Sequence, residues 1–166
     1  MQVGSALVEL HTLFDVQHGN GFDYNKMTPC FPSADAILFI SRSGEGNGII
    51  GFVEKCGGVE PYAVGLITVA LGGSALSSFV QPRPFYTAQN IDVLTPLVEM
   101  SLDVKMYYCL CIEANRFRYS TYGREANRTL KCLLLPQTDC VPSWVERIGV
   151  VAADVIRRDL IHIIPT

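Results

Sequence analysis

At 166 residues the chain has the length of one domain with a substantial core and is too short for two comfortable ones. Apolar residues make up 49% and charged residues 17%, which excludes a disordered chain. A net charge of −3 argues against a free-standing binder of polyanions, because phosphate contacts normally bring a positive excess.

The charge is unevenly spread. Residues 1–104 carry four basic and ten acidic side chains, residues 105–131 six basic and two acidic, and residues 132–166 three basic and four acidic. The middle segment is a local positive patch on an acidic chain, and Arg116, Arg118, Arg124, Arg128 and Lys131 extend it beyond a single helix face. A mean hydropathy of +0.25 implies some apolar surface covered by a partner. Residues 1–14 lack the positive start of a secretory signal, and the apolar runs at 65–71 and 132–136 are too short to cross a bilayer. The expectation is a cytoplasmic chain with no membrane contact. Its six cysteines, Cys30, Cys56, Cys109, Cys111, Cys132 and Cys140, are then expected as reduced thiols. With only His11, His18 and His162 beside them, no zinc pattern emerges and no cofactor is expected.

In chain order, Leu7–Phe14 is the first candidate element, followed by a polar loop through His18, Gly19, Asn20, Gly21 and Asp23. Ala36–Ile40 is an apolar run of strand length that ends in the Ser41–Gly48 loop. Ile49–Glu54 and Leu66–Leu71 are strands flanked by glycine, Gly72-Gly73 supplies a turn, and Ser78–Val80 resumes extended chain before Pro82 and Pro84. Phe85–Leu94 alternates less cleanly. Ser101 caps a helix to about Phe117, with Asp103 in its first turn. Leu102, Met106, Cys109, Leu110 and Phe117 recur along that helix at a spacing that reads as core packing. A loop at 119–128 leads to a strand over Leu130–Leu135, stopped by Pro136. Trp144–Leu160 carries Val145, Ile148, Val151, Ala152, Val155 and Ile156 at the spacing of a second amphipathic helix. Strands followed by helices suggest an α+β or irregular mixed α/β fold.

These ordered stretches resemble the target-recognition domain shared by Type I DNA specificity subunits and the related BcgI-like Type II enzymes. The matching pieces begin with Leu13-Phe14-Asp15-Val16 and Gly19, Phe39-Ile40-Ser41-Arg42, and Asn47-Gly48-Ile49-Ile50-Gly51. Leu66-Ile67-Thr68-Val69, Gly73-Ser74, Ser78-Phe79, Phe85-Tyr86 and Asn90-Ile91-Asp92-Val93-Leu94 follow. The match closes with Phe117, Tyr119-Ser120, Tyr122-Gly123-Arg124, Leu130, Leu135-Pro136 and Pro142-Ser143-Trp144. The resemblance implies a curved, irregular β-sheet with packed helices over residues 1–144, its loops presented to a DNA groove. It also implies double-stranded DNA as ligand, a methyltransferase (modification) subunit and in some systems a restriction subunit as partners, and no catalysis by the domain itself. Type I subunits carry two such domains joined by long helices. Residues 145–166 are then a connector or a homodimer contact.

On that reading the Ser41–Gly48 loop is the foremost candidate. Gly44, Gly46 and Gly48 let its backbone approach DNA closely, Arg42 offers forked donors to guanine or phosphate, and Asn47 suits adenine. Ser74, Ser77 and Ser78 have hydroxyls suited to phosphate, with turn duty as the competing role. Gln81 and Arg83 lie in an extended stretch, and Tyr86, Thr87, Gln89 and Asn90 offer hydrogen-bonding groups beside a strand. Tyr119, Tyr122, Arg124, Asn127 and Arg128 form a basic-aromatic loop able to clamp the backbone, Arg124 foremost, with pairing to Glu45 as its alternative. None of the histidines has a recognisable nucleophile or carboxylate partner in sequence. Two other classes remain open: a non-catalytic protein-binding or structural module, and a small thiol- or metal-dependent enzyme.

Overall fold

The computed structural model describes residues 6–119, 126 and 129–148. Its strands are β1 (Leu7–Glu9), β2 (Phe14–His18), β3 (Ile37–Ile40), β4 (Ile49–Val53), β5 (Ile67–Ala70), β6 (Ser78–Val80), β7 (Phe85–Thr87), β8 (Ile91–Pro96) and β9 (Leu134–Pro136), with one α-helix, α1 (Leu102–Glu113), between β8 and β9. They form an antiparallel sheet in the order β2-β8-β5-β6, a sheet β4-β3-β7 in which β3 and β7 run parallel, and a short β1-β9 pair. The fold is mixed α+β with irregular sheets.

The packing explains the sequence pattern of each element. β3 is buried along its whole length because it has a core on each side. Leu38 and Ile40 meet Phe85, Ile91 and Val93 between the two larger sheets. Ile37 and Phe39 join Val53 and Tyr86 under a lid of Phe22, Tyr24, Met27 and Val59. A strand covered on both faces reads as a continuous apolar run, as Ala36–Ile40 does. On its other face the four-stranded sheet packs Ile67, Val69 and Leu94 against Tyr108, Cys109 and Ile112 of α1 and against Leu10, Phe14, Leu133 and Leu135. The order is therefore loops, small sheet, large sheet, helix.

Several expectations require correction. The first element divides into β1, a 3-10 turn at Leu10–Thr12, and β2. Phe85–Leu94 is two strands, because Asn90 takes a left-handed conformation (φ 58°) that turns the chain from β7 into β8. Leu130–Cys132 is a 3-10 turn, so the last strand covers only Leu134–Pro136, and Pro136 pairs with Leu7 instead of stopping the strand before it. Ser101 does cap α1, its hydroxyl accepting from the Val104 N–H at 3.3 Å, but the helix ends at Glu113 and a 3-10 turn spans Arg116–Tyr119. The stripe Leu102, Met106, Leu110 and Phe117 is not core: these side chains are 53–70% exposed, and α1 buries Tyr108, Cys109 and Ile112 instead. Val145–Arg147 forms a 3-10 turn against α1, with Trp144 edge-on to Tyr107 at 6.4 Å. The helix expected to Leu160 lies outside the described residues from 149 onward.

Candidate nucleic-acid interface

Strand direction brings four loops to one end of the molecule. β3 and β7 are parallel and finish there, β8 starts there after the 88–90 turn, and β2 and β5, both antiparallel to β8, also finish there. The loops at 19–24, 41–48, 71–77 and 88–90 are consequently neighbours. Backbone hydrogen bonds tie them together: Ser74 N–H to Arg42 O (3.3 Å), Leu71 N–H to Asn90 O (2.9 Å), Ala88 N–H to Ile40 O (2.8 Å) and Phe22 N–H to Thr87 O (3.0 Å). Asn20 clamps the first loop onto β7, accepting from the Thr87 N–H at 3.0 Å while its own N–H donates to Thr87 Oγ1 at 2.8 Å. Gly19 is required at this crossing, since a Cβ there would collide with Thr87 Oγ1 and the Ile91 carbonyl.

The Ser41–Gly48 loop is held by its own polar groups. Ser41 N–H donates to the Gly48 carbonyl at 2.7 Å, and the Ser41 hydroxyl accepts from Ser43 N–H at 3.2 Å. Asn47 sits at φ 56°, which asparagine tolerates better than most residues, and its carbonyl accepts from Gln81 Nε2 at 3.0 Å. Loop closure therefore consumes Ser41 and the backbone of Asn47. The side chains of Arg42 and Asn47 stay exposed without a hydrogen-bond partner among the described residues.

Arg42 shares a hollow of about 380 Å³ with Gln89, Phe22, Asp23, Tyr24 and Ala88. Gln89 and Ser74 are exposed, and their side chains too are without a partner among the described residues; Asn90 is half-buried at the turn. Arg42, Ser74, Gln89 and Asn90, distant in sequence, are thus collected at one end, with Asn47 on the flank of the same loop.

The remaining candidates are placed otherwise. Ser78 is 3% exposed, with its hydroxyl donating to the Leu76 carbonyl at 2.8 Å and its N–H donating to Glu113 Oε1 at 3.0 Å. Gln81 is fully buried, donating also to Thr68 Oγ1 at 2.8 Å. Tyr86 is fully buried, its hydroxyl donating to the Val59 carbonyl at 2.7 Å and accepting from the Cys56 N–H at 3.1 Å. Arg83 donates from Nη2 to the carbonyls of Ser33, Ala34 and Ala36 and covers the Phe52 ring at 5.6 Å. These four side chains are engaged by partners within the fold.

Tyr122, Arg124, Asn127 and Arg128 lie outside the described residues. The chain on either side of them is placed: Ala126 N–H donates to the Leu71 carbonyl at 2.9 Å, next to Asn90, and Tyr119 Oη bonds Thr129 Oγ1 at 2.5 Å. Arg116, from the same basic segment, binds the 71–77 loop through Ala75 O (3.0 Å) and Ser77 Oγ (2.9 Å). Two described points of the basic segment, Arg116 and Ala126, thus touch the 71–77 loop.

Two of the histidines have carboxylate partners, one of them local and one far along the chain. His18, at the end of β2, lies opposite Asp92, with Nδ1 2.9 Å from Oδ1; His11 pairs with Glu9 at 2.6 Å. Burial pushes the Asp92 carboxyl up from its ordinary value, and the hydrogen bond and charge of His18 pull it back. The His18–Asp92 contact spans 74 residues, and no spacing rule would find it. All six cysteines are free. Burial drives the Cys109 thiol up to about 12, which makes it unreactive near neutral pH. Among the described residues no cluster of three or more His, Cys, Asp or Glu is arranged to hold a metal, and no helix is long and apolar enough to cross a membrane.

No protein-family model and no curated protein matches the sequence. Solved structures do match the fold. The S subunit of the Type I restriction-modification system from M. genitalium aligns with 95% of this chain at a TM-score of 0.60 and 14% identity. The HsdS subunit from Thermoanaerobacter tengcongensis gives 95%, 0.60 and 15%. A chain from a structure on complex assembly and conformational transition of the type I R-M system gives the same values. This chain spans 40–41% of the length of those proteins. At such identity the likeness is one of fold.

Proposed function

We propose that this chain is a target-recognition module that reads a double-stranded DNA sequence and delivers a methyltransferase subunit, and in some assemblies a restriction subunit, to it. The observation that carries the reading is the collection of Arg42, Ser74, Gln89 and Asn90 on loops at one end, with the first three side chains exposed and without a hydrogen-bond partner among the described residues. Arg42 and Asn47 are the base readers of the proposal, because their side chains match the groove edges of guanine and adenine. Ser74 and the basic segment rooted at Arg116 and Ala126, including Arg124 and Arg128, hold phosphates. The likeness in fold to S subunits supports the same assignment. Chemistry belongs to the partner subunits in this reading.

The test is selection from a randomised duplex pool at low and physiological salt, with and without a modification subunit. One enriched motif is the expected result. No enrichment even with the partner present would overturn the reading. A second reading, a module that binds only protein, is favoured by the exposed apolar side chains of Leu102, Met106 and Leu110 along α1 and by the acidic residues 1–104. It predicts no retained duplex at any salt concentration.

A further inference from the structure

We propose that Asp23, on the 19–24 loop, is a specificity-determining residue that reads the cytosine of a G·C pair whose guanine is read by Arg42; the inference rests on the DNA-recognition reading.

Presentation is the first argument. Asp23 lies between Phe22, whose ring packs on Tyr86 at 5.4 Å, and Tyr24, whose ring packs on Phe39 at 5.1 Å. The Phe22 N–H is also bonded to the Thr87 carbonyl at 3.0 Å. Both neighbours are thus anchored on the core of the small sheet, and Asp23 stands exposed between them on a fixed stretch of backbone. Its carboxylate is half committed. Oδ1 accepts from the Asn25 N–H at 3.0 Å, whereas Oδ2 has no partner among the described residues. The second argument is its company. Asp23 lines the hollow of about 380 Å³ together with Arg42, and among the described residues no ion pair joins the two. An acceptor and a forked donor therefore border one hollow without neutralising each other.

Chemistry then selects the ligand. An aspartate carboxylate only accepts hydrogen bonds, so on a surface that meets DNA it repels phosphates. The groups of a duplex that can donate to it are the amino groups of the bases. In the major groove a G·C pair shows two acceptors, guanine N7 and O6, followed by the cytosine N4 amino donor. Arg42 and Asp23 together are the complement of that row. An A·T pair puts thymine O4 where cytosine carries N4, so Asp23 would there face another acceptor. Asp23 adds what an arginine alone lacks, a penalty against A·T at this position and against contact with the phosphate backbone.

The experiment is selection from a randomised duplex pool with the whole chain and a modification subunit, for wild type, Asp23→Ala, Asp23→Asn and Arg42→Ala. The wild-type motif should hold a G·C position that Asp23→Ala and Arg42→Ala both relax, with the other positions unchanged. Asp23→Asn retains an oxygen for the Asn25 N–H but adds an amide donor, so it should admit A·T at that position, where thymine O4 accepts. Replacing the cytosine by pyrimidin-2-one, which lacks the 4-amino group, should weaken wild type about tenfold and leave Asp23→Ala unchanged. Asp23→Ala should also bind mixed-sequence duplex more tightly, the reverse of Arg42→Ala, which loss of a loop cap alone would not produce. Thermal melting separates lost folding from lost contact, and if Asp23→Ala melts early, Asp23→Asn and the pyrimidin-2-one duplex decide. If wild type enriches a motif that both Asp23 variants keep in full, or if Asp23 and Arg42 govern different positions, the shared G·C reading is refuted and the DNA reading stands. If wild type enriches nothing, both are refuted.

Discussion

Arg42 and Arg83 are the same residue on either side of the fold, and the fold uses them in opposite ways. Arg83 follows β6 and points into a turn whose three carbonyls, from Ser33, Ala34 and Ala36, all receive its guanidinium. Arg42 follows β3 at the loop-bearing end, where Ser41, Ser43 and Gly48 close the loop among themselves and its side chain makes no hydrogen bond among the described residues. A guanidinium is drawn inward wherever turn carbonyls lack donors. In the 41–48 loop the hydroxyls of Ser41 and Ser43 take the backbone N–H groups of Ser43 and Glu45, and the Arg42 guanidinium is left exposed. The same division runs around α1, where Ile112 is buried and Leu110, two residues away, is 66% exposed.

The largest expected effect sharpens the helix comparison. Ile112→Ala should cost about 2–5 kcal/mol of stability by opening a cavity, and Leu110→Ala should stay within about 0.5 kcal/mol. Equal losses in urea unfolding would mean that α1 is rotated from the described orientation. The arginine comparison comes next. Arg42→Ala should weaken binding to an enriched duplex by about 1–3 kcal/mol and leave the melting temperature unchanged. Arg83→Ala should do the reverse, lowering stability by about 1 kcal/mol because the exposed carbonyls of Ser33 and Ala34 and the part-buried one of Ala36 lose their donor, with duplex affinity intact. An Arg83→Ala protein that melts normally yet binds poorly would exchange the two roles. A similar effect is expected at Tyr86→Phe, about 1 kcal/mol of stability from its hydrogen bonds to Val59 and Cys56, with unchanged base preference.

The sequence exposes those parts of the fold whose cause is local. β3, β4, β5 and β6 stand between glycine or proline signals, and the Ser101 cap marks the start of α1 within a residue. What escaped it depends on partners far along the chain. The run Leu102, Met106, Leu110 has helical spacing whichever face it occupies, and only the side on which β6 packs decides that Cys109 and Ile112 go inside. At the candidate site, residue type singled out Arg42, Asn47, Ser74, Gln89 and Asn90, and these five lie on loops. Ser78, Gln81, Arg83 and Tyr86 looked equivalent in sequence, but each serves a backbone or side-chain group tens of residues or a strand away, such as Gln81 to Asn47 and Tyr86 to Val59. The His18–Asp92 pair was invisible for the same reason.

The smallest expected effect tests the loop end itself as a place where stability gives way to binding. Asp92 lies almost wholly inside, and burial raises its carboxyl despite the help of His18. A carboxyl whose folded value lies above its unfolded one favours the fold while protonated, and that contribution is lost as pH rises through the folded value. Asp92→Asn cannot ionise, so its melting temperature should gain on wild type as pH climbs from below the ordinary carboxylate range to just above it, then hold a constant offset. The opposite trend, with the variant losing ground as pH rises, would mean that His18 more than offsets the burial of Asp92. The pair would then stabilise the fold outright, and the loop end would resemble the Arg83 end, where each polar group is committed to its neighbours.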